Sequence, residues 1–93
     1  MNIPIFFTFR LYVAGDGPNS SQAISNLNLI CREHLPDRHE VEVVDVFREP
    51  QRALVDGVLL TPMLMKLSPA PPIKIVGNLS QVGAALQMLG LPD

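Results

Sequence analysis

Three groups of residues have the types and spacing to do chemistry. The first is Gly15-Asp16-Gly17-Pro18-Asn19-Ser20, a turn between strand-like and helix-like sequence, where a phosphate, a metal or a reactive Cys pair is often held. Gly15 and Gly17 begin a Gly-x-Gly-x-x-Gly pattern, but Ser20 stands at the third glycine and no Lys-Ser or Lys-Thr follows for a P-loop. The two glycines therefore read as a turn that needs positive φ. Disulfide exchange is excluded there, because a redox pair would be Cys-x-x-Cys at the helix start and this turn contains no sulfur. Ser20 or Ser21 as a nucleophile would need a base, and the only imidazoles, His34 and His39, stand at the far end of the following helix. The second group is His34, Asp37 and His39, placed around Pro36 as a loop metal site could be; on a turn they read instead as solvated residues. The third is Asp45, a carboxylate in a Val-rich strand that is costly unless paired, with Arg10 on the neighbouring strand as the expected partner. Cys31, the one cysteine, lies on an apolar helical stripe and reads as a small buried residue. No acid, base and nucleophile converge, so the chain is expected not to be an enzyme and to need no cofactor or metal.

Composition narrows the partners. The 93 residues are expected to form one domain, 1–93, burying roughly two thirds of the surface that the unfolded chain exposes. Hydrophobic residues make up 47% and charged ones only 17%, which points to an oligomer or a partner surface. A net charge of -2 provides no basic field for nucleic acid or anionic lipid. The apolar start, MNIPIFFTFRLYV, has Arg10 in its middle and no basic n-region or cleavage pattern, so it reads as a strand and not as a signal or membrane anchor. A single Cys fits a reducing compartment, with the cytoplasm as the default.

The positioning elements follow from periodicity. Ile5, Phe7, Phe9, Leu11 and Val13 alternate with Phe6, Thr8, Arg10 and Tyr12, which predicts a strand with one well-buried face. Asn19 is expected to cap a helix with Gln22 three residues on, and Ala23, Leu27, Ile30, Cys31 and Leu35 recur at helical spacing up to Pro36. Glu40 to Phe47 predicts a second strand, parallel to the first through a right-handed crossover. Pro50 opens a short helix through Val55, closed by Gly57 in a left-handed cap. Pro62 cannot donate to a sheet, so a third strand is expected from Met63; Ser68 to Pro72 turns the chain and Ile73-Lys74-Ile75-Val76-Gly77 returns beside it. Ser80 is expected to cap a last helix with Val82, Ala85, Leu86 and Leu89 on one stripe, stopped by Gly90 and Pro92. Met63, Met65 and Met88 read as core filler.

The order βαβ, helix, ββ, helix is the layout of the thioredoxin-like fold, in which a Thr-Pro such as Thr61-Pro62 before the third strand holds a cis peptide facing the first turn. A closer resemblance lies in LYVAGDGPNS followed by VVDVFREPQRALVDGVLLTPMLMKLSPAPPIKIVGNLS. This run resembles the KaiB family of circadian-clock proteins from about Arg10 to Leu89: a Leu-Tyr-Val-Ala-Gly turn with Pro-Asn-Ser, a Val-Asp-Val strand, Pro-Gln, Thr-Pro, a multi-proline turn and Gly-Asp-Leu-Ser. By this resemblance the first turn is the remnant of a scaffold that has lost its chemistry and become a binding module.

The resemblance implies two folds sharing the N-terminal βαβ: an inactive homotetramer and a rarer monomer with the thioredoxin-like layout. It implies that the monomer binds the N-terminal ring of a KaiC-type ATPase hexamer, after which KaiA is sequestered or a histidine kinase displaced. On that expectation Gln51, Arg52, Asp56 and Thr61 contact the partner, with Arg52 and Asp56 facing outward from the short helix, and Pro62, Pro69, Pro71 and Pro72 hold the two second-half packings apart. GVLLTPMLMKL accords with this, since it can be read as a broken strand or as part of a helix. Departures from the pattern are Ile73 and Lys74 in place of paired arginines, Asn78 in place of the aspartate of Gly-Asp-Leu-Ser, Met88-Leu89-Gly90 near the end, and no acidic tail after Asp93. The rival expectation is a redox-inactive thioredoxin-like adaptor or sensor domain of a histidine-kinase system. Such an excised domain should run on into a helical linker, whereas Met1 and the closing Gly90 to Pro92 make the chain read as whole.

Overall fold

A computed structural model describes residues 5–92; Met1 to Pro4, at the start of the expected first strand, and Asp93 lie outside the described residues. Seven elements follow in chain order: β1 (Phe7–Val13), α1 (Pro18–His34), β2 (His39–Asp45), α2 (Pro50–Val55), β3 (Met63–Ser68), β4 (Ile73–Val76) and α3 (Val82–Leu89). The strands form one sheet in the order β2-β1-β3-β4. β1 and β2 run parallel, as expected, with Phe7 opposite His39 and Val13 opposite Asp45 and α1 as the crossover between them. β3 runs antiparallel to β1 and to β4, and Leu67 bulges out of register where the β1 pairing passes from Thr8 and Ser68 to Phe9 and Lys66.

β1 therefore lies inside the sheet, and both of its faces are covered. On one face Phe7, Phe9, Leu11 and Val13 pack with Leu64 against Ala23, Leu27, Ile30 and Cys31 of α1 and Ala85, Leu86 and Leu89 of α3. On the other, Tyr12, Val44, Met63 and Met65 meet Ala53 of α2 in a second, smaller core. The expectation of one buried face thus needs correction: Tyr12 is wholly buried, because α2 returns across the sheet above it. Met88 also departs from expectation, being half exposed where Met63 and Met65 are buried.

The helix ends differ from the expected caps. α1 starts with Pro18, whose fixed φ suits the first helical position, and Gly17 takes the N-cap with no side chain bonded there. Asn19 lies inside the helix, so its carbonyl oxygen is free to accept from the Asn78 amide. Gln81, not Ser80, is the N-cap of α3; the Ser80 N–H is taken by Asn78 Oδ1 at 3.0 Å. Gly57 and Gly90 adopt the expected left-handed backbone after α2 and α3. The peptide bond of Thr61-Pro62 is cis, as are Ser68-Pro69 and Ala70-Pro71. No described helix is long and apolar enough to cross a membrane.

Charge is segregated by face. Residues 17–31 and 75–92 contain no Asp, Glu, Lys, Arg or His, so α3 and the first three turns of α1 form an uncharged layer. The two layers should respond differently to truncation. Leu27→Ala, in the α1 core, is expected to lower unfolding free energy by about 2–5 kcal/mol, whereas Leu54→Ala, on the exposed side of α2, should change it by less than about 0.5 kcal/mol. Denaturant titration of both variants measures the contrast.

Candidate partner-binding site

The Gly15 turn is a joint and not a ligand cradle. Gly15 takes φ +66, and the Phe47 ring sits 3.6 Å from the position a Cβ would occupy. Ser20, buried, accepts from the Ala14 N–H at 3.3 Å, and its hydroxyl donates to the Ala14 carbonyl at 3.4 Å. Asp45 closes the other side, its Oδ1 accepting from the Gly15 N–H at 3.2 Å and the Phe47 N–H at 2.9 Å. Arg10 is therefore not its partner: the register puts Asp45 opposite Val13 and Arg10 opposite Glu42. Of the expected loop group, His39 Nδ1 lies 2.7 Å from the Leu35 carbonyl. Cys31 is buried in the α1 core, and that burial pushes its thiol up to about 11, a poor nucleophile at neutral pH.

The dense polar chemistry lies on the opposite face, around α2. Period-two alternation points Arg10 and Tyr12 to the same side of β1, and α2 brings Asp56 down onto both. The Tyr12 hydroxyl donates to the Asp56 carboxylate and lies 3.1 Å from the Arg52 carbonyl. The Arg10 guanidinium donates to the same carboxylate at 2.8 Å and, through Nε, to Glu42 at 2.9 Å. Glu42 also receives a two-pronged contact from Arg52 at 2.7 and 2.8 Å, and Arg52 reaches back to Glu49 at 3.3 Å. From β4, Lys74 Nζ donates to the Asp56 carbonyl at 2.8 Å. The expected outward-facing pair is thus divided. Asp56 turns in toward the sheet, with 18% of its side chain exposed, while Arg52 lies along the surface.

Gln51, Arg52 and Asp56 do come together: with Arg10 and Val55 they line an open cleft of about 240 Å³. Thr61 stands apart at the entrance to β3. Several apolar side chains in and after α2 are also exposed, and sequence reading missed them. Leu54, Val55, Leu59 and Leu60 are 79, 85, 92 and 64% exposed, and Phe47 is 75% exposed. Large apolar side chains exposed in such number within one short segment are unusual on a small protein. Their signal in the sequence was the pair Leu59-Leu60, an apolar stretch between Gly57 and Pro62 that no helical or strand period accounts for.

A four-stranded sheet with three helices in this order, its first turn free of thiols, has the layout of the thioredoxin-like fold class. Among solved structures, the N-terminal domain of Synechococcus elongatus SasA aligns with TM-score 0.75 at 19% identity, over 97% of this chain and 89% of that one. The Drosophila melanogaster thioredoxin Deadhead aligns with TM-score 0.73 at 14% identity, over 94% and 82%. At those identities the likeness is one of fold. Sequence is more specific: residues 10–91 match the KaiB domain. A Synechocystis relative named circadian clock protein KaiB3 is 43% identical over 82 residues, 88% of this chain and 78% of its own length. The chain belongs to the KaiB family of circadian-clock proteins.

The ion pairs set a pH window. Two arginines bonded to Glu42, Arg52 first, hold its carboxyl down at about 2, and the Tyr12 hydrogen bond and then Arg10 hold Asp56 below the usual carboxylate range. Both folded values are depressed, so their contribution is present above the unfolded carboxylate range and lost as pH falls. Burial, then the Asp56 bond, raises Tyr12 above its usual value of 10.0, so its contribution is lost as pH rises past that value. Chemical denaturation from pH 7 downward should show wild-type stability falling from about pH 4.5 toward 2. Glu42→Gln should remove part of that acid slope. A second expectation concerns Cys31: an alkylating reagent near neutral pH should label it only as fast as the fold opens. Rapid labelling of folded protein would contradict its burial.

Proposed function

We propose that this protein is a non-enzymatic clock regulator that acts in the cytoplasm and docks on the N-terminal ring of a KaiC-type ATPase hexamer. The contact runs through the segment from Glu49 to Thr61 and the strands after Pro62. The observation that carries this reading is the exposure of Leu54, Val55, Leu59 and Leu60, apolar side chains that α2 and its following loop leave uncovered, Val55 also lining the charged cleft. Such a surface, with a desolvated apolar centre and a polar rim, is what a specific interface needs. Gln51 and Arg52 supply rim contacts, and Thr61 ends the segment. Family membership supports the choice of partner, and an acidic, weakly charged chain agrees with a protein partner.

On the same reading the free protein is a homotetramer whose second half packs differently, and binding is slow because that half must first adopt the arrangement described here. The ambiguous GVLLTPMLMKL segment, with Pro62 inside it and Pro69, Pro71 and Pro72 after it, motivates this step. Occupation of the ring would then compete with a histidine kinase or recruit KaiA. The adaptor reading draws on the SasA likeness, which is one of fold alone.

The test is a binding time course of the full chain with the isolated N-terminal ring in each nucleotide state, alongside Leu59→Glu. Wild type should associate with a lag. Leu59→Glu should weaken binding by roughly thirtyfold, the scale of a hot-spot residue, with its unfolding midpoint unchanged. No association of wild type in any nucleotide state would refute the proposed partner. Association at a diffusion-limited rate would remove the refolding step and leave docking in place.

A further inference from the structure

The six residues of α2 bury only Ala53. By contrast, α1 buries Ser20, Ala23, Leu27, Ile30 and Cys31, and α3 buries Ala85, Leu86 and Leu89. A six-residue helix is far too short to persist by itself in water, and one alanine provides little apolar area to hold it down. What remains, apart from Val58 packing against the second core just after the helix, is polar. Asp56, the C-cap of α2, is where three other residues converge: the Tyr12 hydroxyl and Arg10 guanidinium of β1 on its carboxylate, and the Lys74 ammonium of β4 on its carbonyl. Arg52 adds a second attachment, to Glu42 on β2 and to Glu49. These groups face α2 from three strands, and all but Tyr12 are charged.

We propose that Arg10, Tyr12 and Asp56 form a polar latch that positions the apolar surface of α2, and that this segment opens as a unit, ahead of the rest of the fold, when the latch is screened or cut. The latch gives partner docking an ionic-strength dependence that the apolar surface alone would not have. Leu54 and Val55 are held in one orientation only while Asp56 is pinned. Charge-assisted hydrogen bonds in a half-buried setting are strong enough to hold such a segment. They are also the attachments that salt weakens while leaving apolar packing intact. Local opening of this kind involves a cooperative unit with its own free energy, below that of global unfolding. Arg10 and Asp56 are positioning residues on this account, acting through α2 and not by touching the partner. This inference rests on the docking role proposed above for its functional meaning, but the latch itself is a property of the monomer in the arrangement described here and needs no partner.

Its test accordingly starts with the monomeric chain, separated from any oligomer by size exclusion. The amides of Asp56, Gly57 and Val58 donate to Arg52, Leu54 and Ala53 and report whether α2 is formed, while the Leu35 amide, donating to Cys31, reports the α1 core. Hydrogen exchange is measured in wild type, Arg10→Gln, Asp56→Asn, Tyr12→Phe and the double variant Arg10→Gln/Asp56→Asn, at low salt and at about 1 M salt, where the Debye length is about 3 Å. The three reporter amides should exchange roughly tenfold faster or more in Asp56→Asn and Arg10→Gln, the scale of one hydrogen bond to a charged group. Leu35 should stay unchanged. The double variant should be less than additive, because both changes cut one contact. High salt should speed the reporters in wild type and hardly at all in the double variant. Reporter amides that exchange at the wild-type rate in Asp56→Asn, or that speed up only together with Leu35, would overturn the latch. Binding to the N-terminal ring forms the second arm. If wild type binds, Asp56→Asn should bind more weakly in proportion to the faster exchange, and undiminished affinity despite opened α2 would overturn the positioning role. If wild type does not bind, the proposed partner fails and the exchange arm still decides the latch.

Discussion

Burial of β1 from both sides is the constraint on which the rest of the molecule depends. Phe9 and Leu11 on one face and Tyr12 on the other have no measurable exposure, although they are close neighbours in one strand. A strand flanked by β2 and β3 and buried above and below needs a cover on each face. α1 and α3 together supply one cover. The other has to come from the connection between β2 and β3, which crosses β1 on its way between them. Six helical residues cannot span that face, so the cover stops at Tyr12. Beyond it the same row continues as Arg10 and Thr8, where water reaches the sheet and polar side chains are tolerated. The position of the charged cleft is thus a consequence of where the short cover ends.

The two covers are attached by different forces. α1 and α3 are held by side chains such as Leu27, Ile30 and Leu86 that leave water on folding, an attachment proportional to apolar area and insensitive to salt. α2 is held at its end by a tyrosine hydroxyl, two cations and a carboxylate. Surface ion pairs taken singly contribute little. Here they share members, Glu42 between two arginines and Asp56 between Arg10 and Tyr12, so that displacing one side chain disturbs several contacts at once. A similar economy governs the joint at Gly15, where Ser20 and Asp45, once candidates for chemistry, hold the turn with backbone hydrogen bonds.

Most of the element order was legible because hydrophobic period, proline and glycine agreed. Pro18, Pro36, Pro50 and Pro62 each fall at or beside an element boundary, and Gly57 and Gly90 sit where the helices end in left-handed backbone. What could not be read was anything that depends on register. Arg10 was assigned to Asp45 because both lie in adjacent strands; which residues face each other is fixed only when Phe7 is found opposite His39. The caps failed for a related reason. Asn19 and Ser80 have the right side chains, but Pro18 opens α1 and leaves the N-cap to Gly17, while the Ser80 N–H is bonded to Asn78 Oδ1 and α3 begins one residue later, after Gln81. An aspartate at position 78 could not donate to Gln22 as this asparagine does. The family resemblance pointed to the segment around α2, yet not to the inward turn of Asp56 or to the bare leucines after it.

The uncharged layer formed by residues 17–31 and 75–92 has a kinetic meaning. That side carries only the partial charges of the helix ends, so torque on the tumbling molecule comes mostly from the formal charges of the α2 face, the β2 edge and the end of α1. Near a polar macromolecule the chain is therefore turned before it is touched, within a distance of about one Debye length, or 8 Å at physiological salt. The neutral helices trail and the charged face leads. Orientation is thus biased during approach to any surface of complementary charge, before a contact is made.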